Sequence, residues 1–268
     1  MDKLIKIYET APRWDKLNYM KSNWYTFKNI DGLRKKIQIL RGNKKEKRTN
    51  NILVVWDLHS PAIKEWYLEF LIKTYKKYSC KEVIFIWDII DNHYSSFHPS
   101  DPNWLWWGNE LKNAIDLLQP FYRAFPKAKV CLWNHDEIVR RQAFANWIPR
   151  EWIKEYSDVL WTPLWKFDFE FEIDWVIYNH WLSWWWQRGA IKEAIMRWKS
   201  VVRGHYHSQC YVDWYADKTK KIFWMQVWAW CDDNSYALAY WKYSLHKSVI
   251  WCWIVFWGKD AKVELMNL

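Results

Sequence analysis

Short apolar segments alternate with longer segments of helical periodicity through the middle of the chain. The short runs predict buried strands at residues 52–55, 83–86, 129–132, 176–178 and 200–202. Apolar residues at spacings of three and four predict helices at residues 63–78, 110–125, 137–145 and 188–197. Beyond residue 204 the pattern predicts further strands at residues 209–214, 221–227 and 249–256. Because alternating strands and helices precede a β-rich segment, we expect an α/β fold, a sandwich with two sheets.

The first fifty residues differ from the rest of the chain in charge. They hold 14 Lys and Arg against 5 Asp and Glu, which is nearly all of the net charge of +10. Residues 30–40 predict a helix and residues 42–51 a linker, so we expect a basic N-terminal extension, 1–50, and one larger domain, 51–268. Basic side chains can neutralise the phosphates of a nucleic acid, although a solvated linker would have the same composition. The candidate contacts are Arg34, Lys35, Lys36, Arg41, Lys44, Lys45, Lys47 and Arg48.

Hydrophobicity and cysteine usage indicate a cytoplasmic protein without membrane contact. The longest apolar run, around residues 249–257, is far shorter than the roughly 18 residues of a spanning helix. The charged residues Asp2 and Lys3 are followed by no apolar leader, so we expect no signal peptide. The cysteines are odd in number, well separated and typical of reduced thiols. They are Cys80, Cys131, Cys210, Cys231 and Cys252.

Aspartate, histidine or asparagine lies at the carboxyl ends of five of the predicted strands. Sites in open α/β sheets form outside the carboxyl ends of the strands, and these side chains suit divalent transition metals. A single such histidine is more often a structural residue than a ligand, but five in order predict a metal site. The five segments are WDLHS, WDIID, WNHDE, NHW and GHYHS, which begin at residues 56, 87, 133, 179 and 204.

The ordered set resembles the signature of the calcineurin-like metallophosphoesterases, D-x-H, GDxxD, GNHD, H and GHxH, over residues 51–230. The resemblance implies a two-sheet α/β/β/α sandwich and a centre of two divalent ions. The implied ligands of one ion are Asp57, His59 and His207. Those of the other are Asn134, His180 and His205, and Asp88 would bridge the pair. His135 would be the general acid that protonates the leaving oxygen, with Asp91 orienting its ring.

The implied reaction is hydrolysis of a phosphoester by in-line attack of a water that the ions activate. Several imidazole ligands favour Mn²⁺ or an Fe/Zn pair over Mg²⁺. Protein phosphatases of this family carry Arg after the second Asp of GDxxD, whereas this chain has Asn92 and His93, so we expect the bacterial and phage type. The basic extension favours phosphodiester hydrolysis in nucleic acid. A phosphomonoesterase or nucleotide phosphatase acting on small substrates is the alternative.

Tryptophan stands at three positions where the family has glycine, namely 56, 87 and 133. The chain holds 27 Trp and only 6 Gly, whereas glycine is ordinarily about 7% of residues. The family needs glycine there for positive φ or for close approach of the backbone. We interpret most of the tryptophans as glycines encoded by UGA and written as Trp under the standard code. If the tryptophans are real, they would crowd the site, and an inactive binding protein is the second alternative.

Overall fold

The computed structural model describes residues 50–56, 58–86, 88–95, 107–180, 189–204, 211–226 and 251–266, together with Thr10 and Asn18. The chain divides into two compact units, Met1–Thr49 and Asn50–Leu268. Every element given below belongs to the second unit. The helix predicted at residues 30–40 and all eight basic candidates for phosphate contact lie outside the described residues, so their role stays a prediction.

The first sheet has six strands. They are β1 (Asn51–Trp56), β2 (Glu82–Ile86), β3 (Lys129–Cys131), β4 (Lys166–Asp168), β10 (Trp251–Phe256) and β11 (Asp260–Leu265). Their order across the sheet is β11-β10-β1-β2-β3-β4. Strands β1 to β4 are parallel, whereas β10 runs antiparallel to both β1 and β11.

The second sheet has five strands and is also mixed. They are β5 (Glu170–Ile173), β6 (Val176–Asn179), β7 (Ser200–Arg203), β8 (Tyr211–Ala216) and β9 (Lys221–Gln226). Their order is β5-β6-β7-β9-β8, with a parallel centre and an antiparallel strand at each edge. The α-helices among the described residues of this unit are α1 (Tyr67–Lys77), α2 (Trp107–Ala124), α3 (Asn134–Ala145), α4 (Tyr156–Val159) and α5 (Gly189–Arg197). Two short 3-10 helices cover His93–Ser95 and Arg150–Trp152.

The alternating faces of the strands define four layers. Leu53 of β1 packs in a cluster with Leu71 of α1, whereas its neighbour Val54 packs with Tyr178 of the second sheet. Successive side chains of a strand point to opposite faces, so a strand covered on both faces is apolar throughout, as β1 is. On the far side of the second sheet, Val201 and its neighbours pack against α5. The helix, sheet, sheet and helix layers confirm the predicted two-sheet sandwich.

The segments that differ from prediction lack a strong apolar pattern or contain an unexpected backbone conformation. The helix predicted from residue 63 begins at Tyr67, because Trp66 has a φ of 66° and cannot extend the helix backwards. Strands β4, β5 and β11 were not predicted, since each alternates with charged residues and lies at a sheet edge. Within the described ranges, no helix is long and apolar enough to cross a membrane. Three cysteines are free and buried, namely Cys80, Cys131 and Cys252.

Tryptophans occupy backbone positions that normally require glycine. Among the described residues, eleven residues other than glycine have positive φ, and six of these are tryptophans. All six indoles are exposed and fill no core. A bulky side chain at positive φ is a steric outlier. The six are Trp66, Trp147, Trp161, Trp175, Trp198 and Trp257.

Three of these tryptophans end helices in the way that glycine does. At the end of α3, the N–H of Ile148 donates to the carbonyl oxygen of Ala143 at 3.0 Å, and Trp147 between them has a φ of 57°. This closure is the Schellman motif, whose left-handed residue is usually glycine. The same closure follows α4 at Trp161 and α5 at Trp198.

Two other tryptophans lie in tight turns between antiparallel strands. Asp174 and Trp175 join β5 to β6, with φ values of 52° and 67°. A two-residue turn with both φ values positive is type I′, for which Asp-Gly is a preferred sequence. Trp257 and Gly258 likewise both have positive φ between β10 and β11.

The conformation expected at the motif tryptophans is wrong in one respect. Trp56 lies within β1 and is buried between the two sheets, and Trp133 has an extended backbone with a φ of −166°. Neither has positive φ, so that reason for glycine does not apply at these two positions. Positive φ is found instead at His59 and Asp88, which follow β1 and β2. Trp87 lies outside the described residues.

Candidate metal centre

The loops that follow β1 and β2 are joined by their backbones. The N–H of His59 donates to the carbonyl oxygen of Asp88 at 2.7 Å, and the N–H of Asp91 donates to that of Ser60 at 3.0 Å. Since β1, β2 and β3 are parallel neighbours, their carboxyl ends meet at one edge of the sheet. The φ values of His59 and Asp88, 41° and 32°, are strained conformations of the kind that cluster at functional sites.

His59 is held by a buried carboxylate. Its Nδ1–H donates to Oδ1 of Asp91 at 2.7 Å, and both side chains are buried. The Nε2 atom on the other side of the ring lies 3.8 Å from Oδ2 of Asp88. Histidines that bind metals are commonly fixed by a carboxylate in this way, which sets the tautomer and aims the second nitrogen. The contact therefore fits His59 as a ligand through Nε2.

His135 enters the same group from the first turn of α3. Its backbone N–H donates to Oδ1 of Asp88 at 3.0 Å, and its ring Nδ1–H donates to the carbonyl oxygen of Asp91 at 2.7 Å. The side chain of Asn92 in turn donates to the carbonyl oxygen of His135 at 2.9 Å. The ring edge faces His59, with centroids 5.1 Å apart. Both the position and the tautomer of His135 are thus fixed by the loop after β2.

The carboxylates and imidazoles shift one another's pKa values. Burial alone would raise the pKa of Asp91, but hydrogen bonds from His135 and His59 hold it below its ordinary value. Burial alone would lower the pKa of His135, but Asp88 and Asp91 outweigh it and raise that pKa to about 9. These opposite shifts describe an imidazolium and a carboxylate that stabilise each other.

The donor set of this group suits a divalent metal ion. Ligand atoms of His59, Asp88 and His135 all lie within 4.8 Å of one another. Carboxylate oxygen together with imidazole nitrogen fits Mn²⁺, Fe or Zn²⁺ better than Mg²⁺. The geometry differs from the sequence expectation in one point, because His135, expected to be a general acid, lies among the possible ligands.

Two buried carboxylates that the predicted site left out hold the loop after β2. Oδ1 of Asp136 accepts the N–H of Ile89 at 3.1 Å, and burial and the neighbouring Asp88 raise its pKa. Glu110 of α2 accepts the N–H groups of His93 and Tyr94 at 2.7 and 3.1 Å. Both contacts cross from a helix to a loop distant in sequence. Asp136 belongs to the segment WNHDE, whereas no local pattern indicates Glu110.

The end of the second sheet is held by buried charges behind it. His180 follows β6 and is fully buried. Its neighbour Asn179 donates through Nδ2 to Oε1 of Glu193 at 2.6 Å. The other carboxylate oxygen of Glu193 lies 3.6 Å from the guanidinium of Arg203, the last residue of β7. Glu193 of α5 thus joins the ends of the two strands that precede His180 and His205.

The indole of Trp133 lies between two other rings beside this end of the sheet. Its centroid is 6.3 Å from that of His180, with the planes inclined by 33°, and 5.8 Å from that of Phe169, with the planes at 86°. A cavity of about 280 Å³ adjoins it, lined by Trp133, Glu137, Arg141 and Phe169. This arrangement is the crowding of the site by an indole that the sequence predicts.

The structure brings together four of the predicted site residues, His59, Asp88, Asp91 and His135, and gives His180 at the end of β6. Asn134 begins α3, but its side chain lies outside the description. Asp57, His205 and His207 also lie outside the described residues. The ligand roles therefore stay predictions, and the expectation for Asp91 is refined because it holds His59 as well as His135.

Comparisons with known proteins give a structural likeness and no family. No protein-family model matches the chain, and no curated protein matches it. Among solved structures, vacuolar protein sorting 29 from Cryptosporidium parvum is similar over 82% of this chain and 92% of its own. The TM-score is 0.44 and the sequence identity is 11%.

Proposed function

We propose that the chain is a metal-dependent phosphoesterase of the calcineurin-like kind, which hydrolyses phosphodiester bonds in nucleic acid. The observation that carries the proposal is the cluster of His59, Asp88 and His135 at the shared edge of β1, β2 and β3. Its members follow successive parallel strands in the order of the family signature. The buried contact between His59 and Asp91 supports the same assignment, because histidines that bind metals commonly donate their other ring N–H to a carboxylate.

Seven residues would hold the ions. They are Asp57, His59 and His207 for one ion, Asn134, His180 and His205 for the other, and Asp88 between them. Bound Mn²⁺, or an Fe/Zn pair, would supply Lewis acidity toward phosphoryl oxygens and an activated water at neutral pH.

His135 would donate a proton to the leaving oxygen. Its Nδ1–H is committed to the carbonyl oxygen of Asp91, so Nε2 is the nitrogen that faces a substrate. Its backbone N–H is bonded to Asp88, which ties the acid to the predicted bridging ligand. Asp91 positions both imidazoles and does not itself contact substrate.

The features after β2 and at the N-terminus support a nucleic-acid substrate over a phosphoprotein. Asn92, which stands where protein phosphatases carry Arg, is bonded to the backbone of His135. The charge of the first fifty residues provides the electrostatic attraction that binding a polyanion requires.

We also propose that most of the tryptophans are glycines in the protein, encoded by UGA as in some bacterial and phage lineages. Five of the six tryptophans at positive φ support this proposal, since they end helices or lie in tight turns as glycine does. Reading the codons tests it directly, and TGG at positions 56, 87 and 133 would contradict it. Peptide mass spectrometry of the native protein is the independent check.

The experiment for the reaction uses the full chain with glycine at every UGA position. We expect hydrolysis of bis(p-nitrophenyl) phosphate with Mn²⁺ and much slower hydrolysis of p-nitrophenyl phosphate. Faster turnover of the monoester would favour a phosphomonoesterase. Asp88→Asn should abolish both activities, and a surface carboxamide variant, Asp116→Asn, should change neither.

The role of the basic extension is tested by removing charge. Changing Lys44, Lys45, Lys47 and Arg48 together to Gln should weaken oligonucleotide cleavage and reduce its salt dependence. Hydrolysis of bis(p-nitrophenyl) phosphate should not change. If the variant and the unchanged chain cleave each substrate at the same rate, an enzyme that acts on small phosphoesters is favoured.

A further inference from the structure

We propose that the space which the Trp133 indole fills between Phe169 and His180 is a binding slot for a nucleobase next to the scissile phosphate. The inference rests on the proposed function and on glycine being the native residue at position 133. We call this space the ring slot. The ligand of the ring slot would be a planar heteroaromatic ring joined through a sugar to a phosphate.

The size and shape of the slot are given by the ring that occupies it. The indole is tilted by 33° to the His180 imidazole, with centroids 6.3 Å apart, and lies edge-on to the Phe169 ring, at 5.8 Å and 86°. The edge-on contact is a favourable aromatic geometry. An indole and a purine are both planar fused bicyclic rings, so the space that glycine leaves at position 133 has the shape of a base.

Phe169 is an exposed aromatic on a rigid backbone. It is the one residue between β4, which ends at Asp168 in the first sheet, and β5, which begins at Glu170 in the second. The carbonyl oxygen of Asp168 accepts the N–H of Leu132, and the N–H of Phe169 donates to the Asp168 carboxylate at 2.7 Å. The ring itself is 42% exposed. A fixed, exposed aromatic ring is the form of platform on which bases stack.

The cavity that adjoins the ring slot is lined by charged residues suited to a nucleotide. Glu137 and Arg141 are one helical turn apart on α3, and both line the cavity beside Trp133 and Phe169. Glu137 is anchored there, because its carboxylate accepts a hydrogen bond from Tyr156 at 3.0 Å. Arg141 lines the same cavity, and its guanidinium group is of the type that recognises phosphates well.

The residue at the ring slot is adjacent in sequence to two predicted site residues. Position 133 directly precedes Asn134 and His135, and the slot's other ring is His180, a predicted ligand. A base held there places its own phosphate at the carboxyl edge of the strands. Phe169 and position 133 would therefore determine specificity for nucleotide-containing substrates.

The test compares two phosphates that differ only in the base, adenosine 5′-monophosphate and ribose 5-phosphate. Binding of each is measured by calorimetry with Mn²⁺, using the full chain with glycine at position 133. We expect the nucleotide to bind more tightly. Phe169→Ala should weaken its binding by about 5- to 150-fold, which is the range for loss of one base stack. The affinity for ribose 5-phosphate should not change.

Matched variants separate stacking from other effects. Phe169→Trp should keep the nucleotide affinity, because the new side chain is aromatic and can stack on a base. Phe169→Leu should lose it, because leucine is apolar but cannot stack. Phe144 is an exposed phenylalanine elsewhere, on α3, and Phe144→Ala should change the affinity for neither probe. A chain made with tryptophan at position 133 should lose the nucleotide and retain ribose 5-phosphate.

The outcomes distinguish this inference from the function on which it rests. Equal binding of both probes overturns the ring slot and leaves the proposed reaction standing. Nucleotide binding that depends on Phe169, without hydrolysis of any diester, supports the slot and contradicts the proposed reaction. Failure of both probes to bind overturns the slot. A dinucleotide that binds Phe169-dependently and more tightly than the mononucleotide identifies nucleic acid as the source of the base.

Discussion

The two sheets hold their site residues in different ways. At the edge of the first sheet, His59, Asp91 and His135 bind one another directly, and backbone hydrogen bonds join the loops that carry them. At the edge of the second sheet, the end of β6 is positioned from behind, by Glu193 of the covering helix α5.

The two arrangements predict that substitutions at the two sheets have different effects. In the first sheet, the groups that position the imidazoles are members of the site itself, so a substitution there changes both orientation and protonation. In the second sheet, the positioning groups are a buried ion pair outside the site, so their loss should act through folding.

His135→Ala should lower kcat by about 10²- to 10⁴-fold on a diester with a poor leaving group, because the leaving oxygen then lacks a proton donor. The loss should be smaller with a p-nitrophenyl leaving group, which needs no proton. Steady-state kinetics on both substrates checks this. Metal affinity should be unchanged, and a parallel loss of metal binding would make His135 a ligand instead of an acid.

Glu193→Gln should destabilise the fold by about 3–5 kcal/mol, because the buried guanidinium of Arg203 loses the carboxylate that faces it. Denaturant unfolding measures the change. Glu172→Gln, which removes the exposed partner of Lys199, should cost less than about 1 kcal/mol. Equal small losses would mean that buried charge does not position the second sheet.

Asp91→Asn should weaken metal binding by about 10- to 100-fold, as expected when the carboxylate that orients a histidine ligand is neutralised. Calorimetric titration with Mn²⁺ measures it, and circular dichroism should show an intact fold. The exposed variant Asp116→Asn is the control. An unchanged affinity would remove Asp91 from the positioning of His59.

Trp147→Gly should raise the free energy of unfolding by about 1–2 kcal/mol, because it relieves a left-handed residue that is not glycine. Trp198→Gly should act equally at the end of α5, because the strain at a helix end depends on the local backbone, whichever sheet the helix packs against. Trp152→Gly, at an exposed position outside the positive-φ set, should give no such gain. Thermal and denaturant unfolding of the three variants provides the comparison.

The sequence predicts the edge where the site forms, because the motifs follow predicted strands in order. The alternation of strands with helices in turn predicts that these strands are parallel. It places Asp88 and His135 at neighbouring strand ends, and the structure joins them by a hydrogen bond. Glu110 and Glu193 could not be predicted, since each is a helical carboxylate that meets a loop or strand end through tertiary packing.

The tryptophan anomaly was only partly interpretable from the sequence. Trp133 was expected to crowd the site, and its ring does lie against His180. The backbone conformation expected there was wrong, because an extended residue suffices to connect β3 to α3. The positions that need positive φ, such as Trp147 and Trp175, are fixed by helix ends and turns that apolar patterning does not reveal.

We infer that this site binds divalent metal ions and uses them to cleave a phosphodiester. The most direct test is a Mn²⁺ titration of the metal-free, glycine-containing chain, with heat of binding and diester hydrolysis followed together. We expect two ions per chain, activity that rises as they bind, and loss of both binding and activity with Asp88→Asn. Full activity in excess chelator, or no binding of Mn²⁺, Fe or Zn²⁺, would contradict it.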